Sequence, residues 1–501
     1  MSFAEGTALL DTAILDKTVL DQSTGDSNPI RSLEFPQIPY GVSGSRVSEV
    51  PFPGRENHQV GLLNDADSAA YATAKVEGTK LSWIERRCRQ LLFRQLEQIT
   101  TGQIIVQDSE GLFRFGVANS TYPPATVRVT NPAAYRRFVF GGDLGFADSL
   151  IDGDFQVDNL VALLRILVDS NRSAEGDLGR PSMVRRFWSR LQHWMKRNHR
   201  ANSRKNIQAH YDLSNEFFSL WLDPTWSYSS GVFPKLRQVP GPTGLEWQSE
   251  ASMETASLIK LERICEKLEL SSSDHLLEIG CGWGGLAVFA ASKYGCRVTG
   301  VTLSQAQLEV AQARVAEAGL ADLVTLKLQD YRDIEGQFDK LVSVEMIEAV
   351  GHQFQDEYFR TCCQLLKPTG RMVLQGITIV DFRYEDYLKS VDFIREYVFP
   401  GGSLISTSGI MRSVARHTDF RLAHIEDIGP HYAETLRRWR SEFHRQWPKI
   451  AQLGFDARFF RLWDYYLAYC EAGFAEGHVG TVQVVLDRPK CLRPVAIRPS
   501  I

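Results

Sequence analysis

A chain of 501 residues, 44% apolar, 23% charged and with a net charge of −4, has the composition of a folded globular protein, with length for roughly two to four domains. The slight acidity argues against a nucleic-acid partner, and no run approaches the ~18 apolar residues of a membrane span. Eight cysteines without a CxxC pair, only Cys362 and Cys363 being adjacent, indicate neither a metal site nor a disulfide framework, so a cytoplasmic location is expected. Residues 1–75 are rich in Ser, Asp, Pro and Gly and are predicted to be a largely disordered arm, with at most transient helix near Leu9–Leu20. The arm lacks a basic segment before an apolar run and is not expected to be a signal peptide.

Leu81–Glu97 carries apolar residues at helical spacing and opens the first folded unit. Gly102–Gly116 and Ala125–Val129 read as short strands, and Ala133–Leu144 and Asn159–Val168 as helices, which makes a small N-terminal α+β domain over 80–175. After a linker, residues 183–205 form a predicted basic amphipathic helix. From Arg185 to Lys205 there are eight Lys or Arg and no acid, while Val184, Phe187, Trp188, Leu191, Trp194 and Met195 share one helical face. Such a helix suits an anionic membrane surface. It equally suits a strut between two domains, and the sequence leaves both readings open.

Over 206–490 strands alternate with helices, the signature of a parallel sheet. The most informative stretch is Leu276–Gly285, LLEIGCGWGG, an apolar strand that runs into Gly280, Gly282, Gly284 and Gly285 and opens a helix. Glycines there allow a tight turn and close approach of backbone to an adenosine-containing ligand. The run also satisfies GxGxxG, so alone it does not separate a nicotinamide cofactor from S-adenosylmethionine. The next strand, Arg297–Val301, ends in Thr302-Leu303-Ser304-Gln305, with no acid where a dinucleotide fold places its ribose partner. A buried strand, Phe338–Val344, and a helix end, turn and strand over Leu366–Leu374 follow. This order resembles the shared core of the class I S-adenosylmethionine-dependent methyltransferases. The resemblance implies an α/β fold with a doubly wound, seven-stranded sheet.

Further motifs narrow the resemblance. Asn206–Phe218 reads NIQAHYDLSNEFF and Leu222–Ser230 reads LDPTWSYSS. Gly300–Gln305, Met346–Gly351, Asp392–Gly402, His431–Trp439 and Tyr465–Leu467 follow in order. Together they resemble the cyclopropane-fatty-acyl-phospholipid synthase family, including the mycolic-acid cyclopropane synthases, over about 200–487. Leu144–Asp148 with Gly153-Asp154 is similar to the small N-terminal domain of the longer synthases. What the resemblance implies is methyl transfer from S-adenosylmethionine to the double bond of an unsaturated phospholipid acyl chain, by an enzyme on the membrane surface and, as in the long synthases, as a homodimer. The alkene is itself the nucleophile, so the site must position the methyl, shield a carbocation with π-electrons or carboxylate, and supply a base for ring closure.

On that scheme Tyr228 and Ser229 close over the cofactor, and Gly280, Gly282 and Gly284 cradle it. Thr302, Leu303, Ser304 and Gln305 line its ribose and adenine side, with Gln329, Asp330 and Tyr331 beside the adenine. Glu348 matches the family's active-site glutamate, Tyr432 its tyrosine and Ile377 a residue whose backbone contributes to the same place, where the family holds bicarbonate as the base. Two positions depart from many bacterial members: Ser230 stands for Cys and Gln375 for His. The second change removes a titratable group. A methylene- or methyl-branched product therefore stands beside the cyclopropane ring. His210 is expected to order the loop over the cofactor. A methyltransferase for a small molecule, and a non-catalytic lipid or cofactor binder, are the competing readings.

Overall fold

The computed structural model of the protein describes residues 80–119, 121–175, 213–492 and 494–495. The predicted arm over 1–75, the basic segment 183–205 and His210 lie outside the described residues. The first helix, Trp83–Leu96, starts at a capping box in which the Ser82 Oγ accepts from the Glu85 N–H and the Glu85 carboxylate accepts from the Ser82 N–H. Strands β1 (Gly102–Asp108) and β2 (Gly111–Val117) form a hairpin whose turn is held by Asp108 Oδ1, which accepts from the N–H groups of Glu110 and Gly111. With β3 (Ala125–Val129) and β4 (Phe155–Val157) they complete a sheet of order β2-β1-β3-β4. The helix predicted to stop near Leu144 runs from Ala133 to Asp152, broken at Gly142, whose φ of 57° leaves the helical region. The next helix, Leu160–Glu175, is likewise longer than predicted.

A second hairpin, β5 (Arg237–Gly241) and β6 (Gly244–Gln248), precedes the large sheet. The latter contains β7 (His275–Ile279), β8 (Arg297–Thr302), β9 (Val324–Leu328), β10 (Phe338–Val344), β11 (Leu366–Ile379), β12 (Arg421–Asp427) and β13 (Val479–Asp487), in the order β12-β13-β11-β10-β7-β8-β9. Only β13 runs against the rest, pairing antiparallel with β11 and β12. The turn predicted around Pro368–Gly370 is accommodated inside β11 as an irregularity: Phe338 pairs with Leu366, and the ladder resumes only at Lys340 with Arg371. Leu276, Leu277 and Ile279 of β7 are buried, as a central parallel strand covered on both faces requires. Strand order reverses between β7 and β10, so their carboxyl ends open the crevice where such sheets bind ligands.

The N-terminal unit shares one apolar core with the helices Gly429–Gln452 and Ala457–Ala475, which the chain inserts between β12 and β13. At the junction the buried Arg165 Nε donates to Glu476 Oε1 at 2.7 Å, and its Nη1 donates to the carbonyls of Thr243 and Leu245. This pairing lets a guanidinium remain buried, since a desolvated charge needs partners on all sides. Tyr397 donates to Asp148 across the same junction. Among the described residues no helix is long and apolar enough to cross a membrane.

Candidate active site

A cavity of about 380 Å³ opens at the carboxyl ends of β7, β8 and β10. Its floor is the glycine loop. Gly280 has φ +84°, and a Cβ built there would lie 2.8 Å from Met346 Cγ. Gly282 has φ +51° and faces open space, so any side chain at this position would both strain the backbone and project into the cradle. Thr302 and Leu303 at the end of β8, and Gln329 and Tyr331 beyond β9, line the far side. Tyr228 and Ser229 line the near side, where the Tyr228 and Tyr466 hydroxyls meet at 2.8 Å and Ser229 Oγ accepts from Lys260 Nζ at 2.9 Å.

Lys260 is buried, and desolvation lowers its pKa against the opposing pull of Glu345, Asp223 and Glu278. Glu278, also on the cavity wall, is pushed up to about 8 by burial, with Lys260 acting against the rise. Its Oε2 is buried without a hydrogen-bond partner.

Beyond β10 two glutamates stand three residues apart, Glu345 on the cavity lining and Glu348 buried off it. Glu345 lines the cavity in the left-handed conformation, φ +51°, which an L side chain adopts only where its surroundings hold it. Its Oε1 accepts from the Ser230 N–H at 3.0 Å and from Gln375 Nε2 at 2.7 Å, and its Oε2 accepts from the Tyr432 hydroxyl at 2.7 Å. Glu348 Oε1 accepts from the Ile377 N–H at 2.5 Å, while its Oε2 is buried without a partner. Burial first, and the Glu345 charge second, push Glu348 up to about 8. Burial also raises Glu345, but three donors and the Lys260 charge act against the rise, so Glu345 is the member of the pair that keeps the negative charge. Tyr432 stacks on Phe474 with ring centroids 4.3 Å apart and meets Trp439 edge-on.

The family model "Mycolic acid cyclopropane synthetase" matches residues 198–484, more than half of the chain. The chain belongs to this family. Among curated relatives of the family, tuberculostearic acid methyltransferase UfaA1 of Mycobacterium tuberculosis is 37% identical over 367 residues, covering 71% of this chain and 81% of the relative. Cyclopropane-fatty-acyl-phospholipid synthase of Escherichia coli is 34% identical over 386 residues, covering 76% and 92%. A crystal structure of mycolic acid cyclopropane synthase CmaA1 complexed with SAH and CTAB matches with a TM-score of 0.50 at 28% identity, over 56% of this chain and 97% of that one. As a member of the synthetase family the chain is an S-adenosylmethionine-dependent methyltransferase of class I fold. The cavity fits that cofactor: Gly282 leaves a cradle a Cβ would fill, and the volume lies within the range of ligand pockets.

Within this family site the structure separates the predicted residues into those at the cavity and those that support it. Tyr228, Ser229, Gly280, Gly282, Thr302, Leu303, Gln329 and Tyr331 line it. Gly284 instead caps the helix Gly285–Tyr294, packed against Ala311. Ser304 caps the helix Gln305–Glu317, its Oγ accepting from the Gln307 N–H, because a serine at that position satisfies an end donor of the helix. Gln305 bonds Glu309 along the helix surface, and Asp330 is engaged by Arg332. Gln307, two residues further on and so on a different face of the helix, lines the cavity in place of Gln305. Ser230 enters through its backbone, since its hydroxyl donates to the Gly231 carbonyl. Tyr432, expected with Glu348 at the bicarbonate site, donates to Glu345, a residue the sequence analysis did not single out. Lys260 was also missed, although a lysine within the buried stripe of the helix Met253–Leu268 was a readable signal.

Proposed function

We propose that the chain transfers the methyl carbon of S-adenosylmethionine to the double bond of an unsaturated phospholipid acyl chain and closes a cyclopropane ring. When bound, the cofactor supplies an electrophilic methyl group. The observation that carries the reading is the cavity wall formed by Tyr228 and the Glu345 carboxylate, behind which Tyr466, Tyr432, Trp439 and Phe474 pack in the core. A wall that carries a carboxylate and is backed by aromatic rings suits a cation formed on an alkyl chain, a need that a methyltransferase for amines or hydroxyls does not have. On this reading the glycine loop, Thr302, Leu303, Gln329 and Tyr331 hold the cofactor, and Tyr228 and Ser229 cover it. Glu348 holds its proton and fixes the Ile377 backbone, while Tyr432 and Gln375 orient the Glu345 carboxylate. A methyl- or methylene-branched product is the second reading. It is favoured by Ser230 and Gln375 and by the similarity to a tuberculostearic acid methyltransferase.

A host expressing the chain and fed methionine with a deuterated methyl group tests this by mass spectrometry of its phospholipid fatty acids. Ring formation gives a saturated ring that retains two of the three labels, because one hydrogen leaves the transferred carbon. A branched chain would select the second reading, and labelled small molecules without labelled lipid would refute both.

The basic segment 183–205 supports peripheral attachment to anionic membrane, and a homodimer completes the proposal. Changing Arg185, Arg186, Lys196, Arg197 and Arg200 to Glu is expected to abolish cosedimentation with anionic vesicles at low salt, an effect that fades as salt rises. Unchanged cosedimentation would leave the segment as a strut between domains.

A further inference from the structure

We propose that Glu345 is the proton acceptor of the reaction, a carboxylate of the chain itself standing where the family resemblance places bicarbonate. The inference rests on the lipid-methylating function proposed above. Its ground is the allocation of donors. Of the three groups expected around the ion, the Tyr432 hydroxyl donates to Glu345, as do the Ser230 N–H and the Gln375 amide from the two altered positions. The remaining two, the Ile377 N–H and Glu348, bond to each other. A free bicarbonate would have to displace Glu345 from three hydrogen bonds and then sit beside its buried negative charge, an arrangement that like charges oppose. The residues present therefore do not fit the ion.

The surroundings hold Glu345 in this role. Gln375 Oε1 accepts from Gln483 Nε2 at 2.9 Å, and Gln483 Oε1 accepts from Lys267 Nζ at 2.5 Å. This chain pins the Gln375 amide with its NH₂ toward Glu345. An amide is a permanent donor and takes no proton, so the basic group absent at 375 is restored at 345. The Glu345 N–H donates to the Gln375 carbonyl at 2.8 Å, which ties the left-handed residue to β11. Strain kept at a cavity wall by hydrogen bonds from three separate segments is a mark of a functional position.

In the step assigned to Glu345, one of its oxygens takes a proton from the transferred carbon. The electron pair of that C–H bond forms the last C–C bond of the ring and neutralises the cation. Glu345 becomes a neutral carboxylic acid and returns its proton to solvent. No oxidant or second base is needed.

The test uses the full chain with vesicles of unsaturated phospholipid and S-adenosylmethionine, in buffer freed of carbon dioxide and in the same buffer with bicarbonate added. The wild type is expected to form product at the same rate in both. Glu345→Gly, which suits the φ of the site, is expected to lose about 100-fold in rate without bicarbonate, an effect of the size of a lost general base. Its affinity for S-adenosylhomocysteine by calorimetry stays unchanged, and added bicarbonate or formate restores rate by entering the vacated donor set. A wild type that stalls without carbon dioxide and revives with bicarbonate would overturn the assignment, and this measurement does not depend on the variant folding. So would a Glu345→Gly protein that works at the wild-type rate in depleted buffer. Absence of methylated lipid from the wild type in both buffers would bring down the proposed function itself, and the role of Glu345 with it.

Discussion

Gly282→Val is expected to weaken S-adenosylhomocysteine binding by roughly 100-fold or more through occlusion of the cradle, while about 1–2 kcal/mol of left-handed backbone strain lowers its melting temperature. The backbone at 282 has φ +51°, and a side chain there would enter the open space above the loop. Calorimetric titration measures the loss. Gly319→Val supplies the control, because Gly319 has φ +67° and also faces open space but lies just past the helix Gln305–Glu317, away from the cavity lining. It shares the strain without the occlusion, so its melting temperature falls while its affinity holds. Equal affinity of Gly282→Val and the wild type would remove the glycine loop from the cofactor site.

Glu348→Gln is expected to stabilise the protein, by an amount that grows with pH. In the folded chain the Glu348 pKa rises from the ordinary 4.5 to about 8, chiefly by burial. Between those values the folded chain keeps a proton that the unfolded chain has released, so wild-type stability falls as pH rises through this window and levels off above it. Glutamine has no proton to lose, and its amide oxygen can still accept from the Ile377 N–H. The variant should match the wild type near pH 4.5 and exceed it at pH 8 by about 2–4 kcal/mol, at ~1.4 kcal/mol per pKa unit with allowance for relaxation. Denaturant midpoints at the two pH values measure it. A wild type whose stability rises between them relative to the variant would mean that Glu348 is ionised and paired in the folded state.

Legibility from sequence followed the range of the interactions involved. The glycine loop was readable because a strand, a turn demanding positive φ and a helix start are written in ten consecutive residues, Leu276–Gly285. The seven-stranded sheet followed from the resemblance, whereas the reversed strand β13 beside β11 came only from the structure. Position in a motif puts Ser304 and Gln305 at the cofactor, but the change of helix face over two residues brings Gln307 to the cavity instead. The separation of a small N-terminal domain from the catalytic domain also looked sharper in sequence than in space. Tyr135, Phe155, Trp439 and Tyr465 belong to one continuous core.

By itself the sequence determined the class of sheet and the glycine loop that ends its first strand, since both depend on residue type and local spacing, and the resemblance marked Ser230 and Gln375 as altered positions. Only the tertiary structure decided which carboxylate those positions serve. Glu345 and Glu348 stand three residues apart after one strand, and local pattern makes them near equals. What separates them is where distant donors arrive: Ser230 from the segment Leu222–Ser230, Gln375 from β11 and Tyr432 from the helix Gly429–Gln452 all reach Glu345, while Glu348 receives the Ile377 N–H. A buried carboxylate keeps its charge where donors converge and its proton where they do not, and that convergence exists only once the chain has folded.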